Sequence, residues 1–437
     1  MAPQPRNLLQ GLLEDALAET PPGRSIWVAL SGGLDSCLLL VLAAQVCQQA
    51  DRPLRAIHIN HGLQTAAETF EKHCTTLCER LSVPLTVVNV TVDVHGDGIE
   101  GAARNARYKA FFATLPAADT LWLAQHQDDQ AETFLLAALR GSGVRGLAGM
   151  PYRRDAQCLT LVRPWLTVSR VMLESAAQSL DLTWCEDPTN SDISFDRNRL
   201  RHRVLPVMRE RWPTAVTALA NSANHASEAD RLLREYAQEE LQSLRVDSQY
   251  LGQCIDATAL GERSCARQRL LVRTLCQCQG LPTPPQKRLE SLLEQLSAKA
   301  DAAVCVEWPG AQARLWRQRL YLMAPLEPLP PWKANWDGQT PLETPIGPLG
   351  CQVLVLQQPP SQPLKATWRQ GGEVIQLAKR GRRDVKRLLQ EADIPPWERE
   401  RLVVIMQAGA CIGVIRPPAQ LLWQAEGVRF TRLNLPA

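Results

Sequence analysis

Residues 1–150 alternate between short apolar runs and longer segments of helical length, and this alternation limits the fold more than any other feature. The apolar runs, which are rich in β-branched residues, are Ser25–Leu30, Arg55–Ile59, Leu85–Val90 and Thr120–Ala124. The segments of helical length between them are 36–48, 65–81 and 100–115. Strands that alternate with helices form a parallel sheet covered by helices on both faces, so the sequence predicts an α/β fold. Ligands of such sheets bind at the carboxyl ends of the strands.

The rest of the chain shows three other patterns. Residues 214–324 are predicted to form a helical linker and a small, mainly helical domain, with one long amphipathic helix over 218–241 and a mixed segment over Asp256–Met323. Residues 325–365 begin with seven prolines within 24 residues, which favours a linker. Residues 366–437 have the pattern of a compact α+β module. Together with the α/β domain at 1–213, this gives four predicted parts, and a chain of 437 residues is too long for a single core.

Hydropathy and cysteine usage argue against a membrane or secreted protein. No apolar run approaches the ~18 residues that a membrane helix requires. Met1–Thr20 has an early arginine, then acidic residues and no apolar core, so we expect no signal peptide and a cytoplasmic protein. The thirteen cysteines are scattered, and the closest pairs, Cys74 with Cys78 and Cys276 with Cys278, lack CxxC spacing. Buried free thiols are therefore expected.

Basic residues concentrate in two stretches and in the C-terminal part. The net charge is +3, but the residues from Ser361 onward carry thirteen basic and seven acidic side chains, or +6, which leaves −3 for the rest. Residues 379–387 (KRGRRDVKR) hold six basic residues, and residues 197–211 hold six arginines. Such clusters fit a polyanionic partner, although a solvated surface has the same composition.

The hexapeptide SGGLDS, Ser31–Ser36, directly follows the first predicted strand. Two glycines permit a tight turn, and the amides at the start of the next helix can bind an anion. The loop lacks the lysine of the Walker pattern and carries Asp35 instead. A carboxylate beside phosphates requires a metal between them, so Mg²⁺ is implied. The alternative is a tight turn with a serine cap.

A second glycine-rich stretch has a different meaning. Gly141, Gly143 and Gly146 formally match GxGxxG, but they follow a helical run instead of a strand. Because the dinucleotide-binding pattern is meaningful only in a strand-to-helix turn, we reject a Rossmann site here.

The stretch LAQHQDDQAET, Leu123–Thr133, leaves the fourth predicted strand and enters a helix. It brings His126, Asp128, Asp129 and Glu132 to the same carboxyl edge as SGGLDS. Neighbouring carboxylates at a buried edge repel one another unless a cation lies among them, either a metal or an ammonium group. The alternative is that Asp128 or Asp129 only caps the helix.

Together these motifs resemble the PP-loop family of AMP-forming ATPases. The stretches that carry this resemblance are SGGLDS, HINHGL (58–63), GIEGAARNARY (98–108) and HQDDQAET (126–133). Further stretches narrow it to members that modify a bacterial isoleucine tRNA: RGSGVRGLAGM (140–150), WCEDPTNSD (184–192), RNRLRHRVLP (197–206) and VKRLLQEADIPPWERER (385–401). Such enzymes ligate L-lysine to C2 of cytidine 34 in the CAU anticodon of tRNA(Ile). They form an adenylated tRNA intermediate and release AMP and diphosphate, and the product reads AUA instead of AUG and has isoleucine instead of methionine identity.

The resemblance also implies roles for individual residues. ATP would be bound by Ser31, Gly32, Gly33, Leu34, Asp35 and Ser36, with His61 and His126 nearby. Mg²⁺ would be held by Asp35 and Asp129. The catalytic residues would be Asp35, Asp129 and Glu132, which handle metal and lysine ammonium, and Arg104 (or Arg107) and Arg197, which face anionic groups. The tRNA would be bound in the C-terminal module by Arg382, Arg383, Lys386 and Arg387, together with Lys379 and Arg380. The small domain within 214–324 would also bind the tRNA.

Three other functions are compatible with parts of the sequence. A tRNA thiolation enzyme would use the same ATP site, but those with an iron–sulfur cluster need CxxC pairs near the sheet edge, and this chain has none there. A small-molecule ligase of the same fold would have no use for a basic tail. An inactive RNA-binding protein would have no reason to keep four acidic residues at the sheet edge.

Overall fold

The structure is a computed structural model, and it describes residues 5–61, 67–91, 98–246, 253–297, 304–355, 358, 360 and 362–432. The chain forms two compact units, Met1–Leu233 and Arg234–Ala437. The boundary between them falls inside one long helix.

The first unit is built on a six-stranded sheet. Its strands are β1 (Ile26–Ala29), β2 (Leu54–Asn60), β3 (Leu85–Asn89), β4 (Thr120–Trp122), β5 (Arg153–Ala156) and β6 (Leu159–Val162). The strand order is β3-β2-β1-β4-β6-β5. All neighbouring strands pair in parallel except β5 and β6, which form an antiparallel hairpin. The prediction of a parallel sheet is thus confirmed for β1–β4, and the hairpin adds an antiparallel edge that the sequence did not indicate.

Ten helices accompany this sheet among the described residues. They are α1 (Pro5–Ala18), α2 (Leu34–Gln49), α3 (Ala67–Leu81), α4 (Gly98–Thr114), α5 (Gln127–Leu139), α6 (Val144–Leu147), α7 (Arg170–Ser179), α8 (Asp196–Arg199), α9 (Leu205–Arg211) and α10 (Ala215–Leu244). A 3₁₀ turn covers Pro188–Ser191, and a π-helical turn, Leu200–Val204, joins α8 to α9. The predicted long helix over 218–241 is confirmed by α10.

Successive residues of β1 point into two different cores, as the period of a strand requires. Ile26 and Val28 are buried with α1, α2, α3 and α7 on one face of the sheet. Trp27 is buried on the other face, together with Phe111 of α4 and with Leu115, which follows this helix. Helices therefore cover both faces, and the polar segments that follow β1 and β4 are left at the carboxyl edge.

The second unit begins with a five-stranded antiparallel sheet of order β7-β8-β11-β10-β9. Its strands are β7 (Arg245–Val246), β8 (Gln253–Asp256), β9 (Val304–Trp308), β10 (Ala311–Trp316) and β11 (Arg319–Met323). Its helices are α11 (Ala257–Gly261), α12 (Cys265–Cys278) and α13 (Gln286–Glu294), followed by a 3₁₀ turn at Gln295–Ser297. The sheet shows that Asp256–Met323 is mixed, as predicted, so this part of the chain is less helical than the domain as a whole was expected to be.

The C-terminal strands form a seven-stranded sheet and two strand pairs. The strands are β12 (Lys333–Trp336), β13 (Leu342–Thr344), β14 (Gly347–Leu349), β15 (Cys351–Val355), β16 (Leu364–Trp368), β17 (Val374–Leu377), β18 (Gly381–Asp384), β19 (Val403–Gln407), β20 (Ala410–Arg416), β21 (Gln420–Gln424) and β22 (Val428–Arg432). The large sheet has the order β12-β16-β19-β20-β17-β18, with β21 beside β20, while β13 pairs with β14 and β15 with β22. The helices α14 (Val385–Glu391) and α15 (Pro396–Arg399) complete the module.

The proline-rich segment differs from the expected linker. Within it, β12 pairs with β16 in the large sheet, and β13 pairs with β14. Trp336, Leu342 and Leu349 are buried in the core of the C-terminal module. The prolines fall mostly before and between these strands, where proline does not remove a ladder hydrogen bond, so apolar burial determines the structure of this segment.

None of the described helices combines the length and apolar character needed to cross a membrane. All thirteen cysteines are free, and eight of them are buried, which agrees with the expectation of buried thiols.

Candidate active site

The loop between β1 and α2 is shaped by a glycine in the left-handed region. Gly32 has a φ of +89°, and a Cβ at this position would lie 2.9 Å from Cδ1 of Phe70. The Gly32 carbonyl accepts a hydrogen bond from the amide of Cys185, at 2.9 Å. A side chain at position 32 would disturb both the turn and this contact, so the loop requires glycine here.

The N-terminus of α2 points out of this loop. Gly33 is its N-cap residue and provides no side-chain cap, and Asp35 lies in the first turn. The hydroxyl of Ser36 accepts a hydrogen bond from the amide of Ser31, at 3.1 Å, which closes the loop on itself. The first amides and the positive end of the helix dipole favour an anion at this end of α2.

His126 is the N-cap of α5, the position that we had considered for one of the aspartates. Its Nδ1 accepts a hydrogen bond from the amide of Asp128, at 3.2 Å, and its own amide donates to Oδ2 of Asp129, at 3.0 Å. Since Nδ1 is an acceptor, the ring proton is assigned to Nε2. That nitrogen lies 3.8 Å from Asp35 Oδ2 and 3.5 Å from Asp129 Oδ2. The imidazole therefore brings the two sequence motifs together.

Asp35 and Asp128 are each paired with an arginine. Arg170 Nη1 lies 2.6 Å from Asp35 Oδ2, and the Arg170 amide donates to Asp128 Oδ2 at 3.0 Å. Arg209 Nη2 lies 2.5 Å from Asp128 Oδ1. Asp128 thus connects the start of α7 to α9.

Asp129 and Glu132 share Arg201. The Nε of Arg201 lies 2.7 Å from Glu132 Oε1, and its Nη2 lies 3.3 Å from Asp129 Oδ1. A second arginine, Arg197, lies 3.3 Å from Glu132 Oε2 and donates to the Thr133 hydroxyl at 2.9 Å. The side chain of Glu132 is fully buried, so these two guanidiniums supply the positive charge that a buried carboxylate requires.

The three carboxyl groups differ in acidity. Burial raises the pKa of Asp35, and its electrostatic interactions with His126 and Arg170 offset only part of this effect. Burial also raises the pKa of Glu132, against the opposing charge of Arg201. Burial on its own would also raise the pKa of Asp129, but His126 and Arg201 hold the pKa of Asp129 below its usual range. Two acids whose environments separate their pKa values can take different roles in proton transfer.

Sequence reasoning named only one of the four arginines at this edge, and it placed Arg197 against the anionic groups of ATP and the base. We expected a metal or an ammonium group among the carboxylates, whereas the structure places Arg197, Arg170, Arg201 and Arg209 there. The arginine-rich run at 197–211 was the available signal for Arg201 and Arg209. The π-helical turn lies within this run, and π-turns are frequent at functional sites.

Other predicted site residues lie elsewhere in the first unit. The guanidinium of Arg104 lies over the ring of Tyr108, at 5.6 Å, and none of its described contacts involves the carboxylate cluster. His61 follows β2 at the carboxyl edge, and its buried Nδ1 has no hydrogen-bond partner among the described residues. The residues 62–66 that complete its motif lie outside the described ranges.

One side chain at the carboxyl edge of the sheet, that of Asp35, fits the role of a Mg²⁺ ligand. Oδ1 of Asp35 is buried and has no hydrogen-bond partner within the described ranges, so this carboxylate oxygen fits the role of a metal ligand. Both oxygens of Asp129 are already engaged, by Arg201 and by the His126 amide. The described residues contain no group of three or more ligand side chains, and Mg²⁺ commonly needs only one or two carboxylates when phosphates and water supply the rest.

The glycine-rich stretch at 141–146 follows a helix, as we expected. Gly141 follows the end of α5, and Gly143 caps the short helix α6. A helix, and not a strand, precedes these glycines, so they do not lie in the strand-to-helix turn that a dinucleotide-binding pattern requires.

The glycine-rich loop SGGLDS follows the first strand of an α/β sheet, and a histidine and carboxylates lie at the same edge. This arrangement is typical of the PP-loop class of ATP-using proteins. The family model of the PP-loop domain matches residues 6–208. The TilS substrate binding domain matches residues 256–321, and the TilS substrate C-terminal domain matches residues 364–428. The chain belongs to the tRNA(Ile)-lysidine synthase family.

Curated relatives are similar along most of the chain. The tRNA(Ile)-lysidine synthase of Xanthomonas axonopodis pv. citri is 42% identical over 409 residues, which is 91% of each chain. That of Pseudomonas putida is 40% identical over 417 residues, 91% of this chain and 95% of the relative. That of Pseudomonas aeruginosa is 40% identical over 422 residues, 94% of this chain and 93% of the relative.

Proposed function

We propose that this chain uses ATP to ligate L-lysine to C2 of cytidine 34 in the CAU anticodon of tRNA(Ile), in the cytoplasm. The reaction passes through a tRNA adenylated at this base and releases diphosphate and AMP. The observation that carries the proposal is the approach of Asp35 and Asp129 to the same imidazole, that of His126, in a chain of this family. The activated base and the amine need this combination of a phosphate loop and paired acids.

Adenylation makes the poorly electrophilic C2 carbonyl reactive. Its oxygen attacks the α-phosphorus of ATP, diphosphate leaves, and AMP becomes a good leaving group from C2. The loop Ser31–Ser36 would bind the phosphates through the N-terminus of α2. Asp35 would hold Mg²⁺ with its free oxygen. When bound, this ion neutralises charge that develops on the diphosphate.

The second half-reaction requires a neutral lysine amine. Asp129, whose pKa is held low, stays ionised and suits the role of an ammonium anchor. Glu132, whose pKa is raised, is the better proton acceptor of the two. Arg201 bridges both carboxylates, so the ammonium of the substrate has to share or displace this guanidinium.

The target base has to leave its stack to reach a site at the sheet edge. Unstacking costs a few kcal/mol and is least costly in a single-stranded loop, which fits an anticodon. The guanidinium of Arg197, next to Glu132, would then face the negative charge of the adenylated base.

We expect ATP to be cleaved between the α and β phosphates. The reason is the lysine-free loop, which suits diphosphate as the leaving group. Chromatography of the nucleotides formed with tRNA(Ile) and lysine should show AMP, and mass analysis of the tRNA nucleosides should show lysidine. ADP as the nucleotide product contradicts the proposal, as does AMP formed without any dependence on tRNA.

The C-terminal module would bind the tRNA away from its anticodon. Two tRNAs carry a CAU anticodon, so their distinction has to be made elsewhere on the molecule. The candidate contacts, all exposed, are Lys379, Arg380, Arg382, Arg383, Lys386 and Arg387. They lie on and around β18 and α14. Contacts to a double-stranded stem are made mainly to phosphates, because its accessible groove offers little base-edge information.

We expect a quadruple variant to have a higher Michaelis constant for tRNA. In this variant alanine replaces Arg382, Arg383, Lys386 and Arg387. Lost phosphate contacts should also flatten the salt dependence of binding, by roughly 0.7 to 0.9 in slope per contact. Pyrophosphate exchange at saturating tRNA should remain comparatively intact. The helix should still form, because Asp384 caps α14 through the amide of Lys386, at 2.6 Å.

Two exposed basic residues of other strands provide the control, Lys365 on β16 and Arg429 on β22. Their replacement by alanine removes charge from the same module without altering β18 or α14. If the quadruple variant binds tRNA with wild-type affinity and an unchanged salt slope, these side chains only keep the module soluble.

A further inference from the structure

A basic cavity lies between α4 and the β5–β6 hairpin. Its volume is about 540 Å³, within the range of small-ligand sites. Three cationic side chains line it, Arg104, Lys109 and Arg154, and no carboxylate does among the described residues. A cavity with this charge selects for an anion.

Two aromatic rings form part of the same lining. Tyr108 and Phe112 lie one helical turn apart on α4, with ring centroids 6.3 Å apart. The guanidinium of Arg104 lies over the Tyr108 ring, at 5.6 Å. Aromatic rings and guanidinium planes are the surfaces on which unpaired bases stack in RNA complexes.

We propose that this cavity binds one nucleotide of the anticodon arm of the tRNA, in addition to the target cytidine. Its phosphodiester lies against Lys109 and Arg154, and its base lies against the rings of Tyr108 and Phe112. Lys109 and Arg154 are exposed, so a polynucleotide chain can enter and leave. The inference rests on the proposed function, since it names a further contact with the same substrate.

A chain of hydrogen bonds connects the cavity to the candidate active site. Nη2 of the buried Arg163 lies 3.5 Å from the Tyr108 hydroxyl. The Nε of Arg163 donates to the side chain of Gln125, which directly precedes His126. The cavity is therefore held in a fixed relation to the edge where the wobble base reacts, which is why we assign it to the anticodon arm.

The test is a Lys109→Ala/Arg154→Ala double variant of the full chain. At about 150 mM salt we expect its Kd for tRNA(Ile) to rise about tenfold or more, and the salt slope to fall by roughly 1.4 to 1.8 for two lost phosphate contacts. Filter binding over a range of salt concentrations measures both. The affinity for free ATP, measured without tRNA, should stay within about twofold of wild type.

Two further variants serve as controls. Arg153→Ala removes a neighbouring arginine of β5 that lies near Asp155, at 3.9 Å, and that points to the other face of the strand. It should bind tRNA as wild type does. Lys109→Arg/Arg154→Lys keeps both charges and should also retain binding, which separates lost charge from a folding defect.

The outcomes distinguish this inference from the proposed function. If wild type forms no lysidine, the proposed function fails. If wild type forms lysidine and the double variant binds tRNA with unchanged affinity and salt slope, the cavity does not bind tRNA. If the double variant loses affinity for free ATP but not for tRNA, the cavity is a mononucleotide site, and the inference is overturned.

Discussion

An Asp129→Ala variant is expected to lose lysidine formation by roughly 10²- to 10⁴-fold, the usual range for a group that acts on proton transfer or developing charge. Asp129 lies beside His126 and Arg201 at the sheet edge, and the pKa of its carboxyl group is held low, so it is ionised at neutral pH. Its loss removes the fixed negative charge that would attract the lysine ammonium. Mass analysis of the tRNA nucleosides gives the rate.

Asp129→Asn separates this role from helix capping. The amide of His126 donates to Asp129 Oδ2, and asparagine can still accept that hydrogen bond while it carries no charge. Both variants should be inactive, with circular dichroism like that of wild type. Near-normal turnover by Asp129→Asn means that the side chain only caps α5.

The main parts of the first unit could be predicted because their signals are local. The apolar runs around Val28 and Ile57 match β1 and β2 to within one or two residues, and buried strands of parallel sheets are recognisable as such runs. The β5–β6 hairpin could not be found in this way. Its first strand, Arg153–Ala156, is polar and lies at the sheet edge, so it has no apolar pattern.

The proline-rich segment shows a second limit of local patterns. Proline marks turns and linkers, but the residues between prolines can still be buried by distant strands. Trp336 on β12 lies opposite Leu364 on β16, and both are buried. Strands that are so far apart in the sequence pair only in the folded chain, and the local composition does not predict such pairing.

Part of the candidate site could be predicted, because its two motifs are local signals. SGGLDS and HQDDQAET each follow a strand, so their meeting at one edge follows from topology. The arginine partners depend on where a distant helix packs. Arg197 and Arg201 are four residues apart and both reach Glu132, whereas the composition of this run suggested a polyanionic partner or a solvated surface. The neutralising charge was thus expected from a ligand, although the protein supplies much of it.

Replacement of Asp35 is expected to stop the first half-reaction. In Asp35→Ala and Asp35→Asn, we expect tRNA-dependent pyrophosphate exchange and lysidine formation to fall by roughly 10²- to 10⁴-fold. Oδ1 of Asp35 is buried and has no hydrogen-bond partner in the part of the chain that the structure describes, and this carboxylate lies in the first turn of α2, where phosphates would bind. Raising the Mg²⁺ concentration should restore little of the activity.

The fold should tolerate these changes because Arg170 keeps a second partner. Its Nε lies 2.8 Å from Glu174 Oε1, so the guanidinium is still paired when Asp35 is lost. Glu174→Ala is the matched control, since it removes the other carboxylate of Arg170 and leaves Asp35 in place. It should retain nearly full exchange activity. If Glu174→Ala is as inactive as Asp35→Ala, the important feature is the position of Arg170, and Asp35 contributes as its ion-pair partner instead of as a metal ligand.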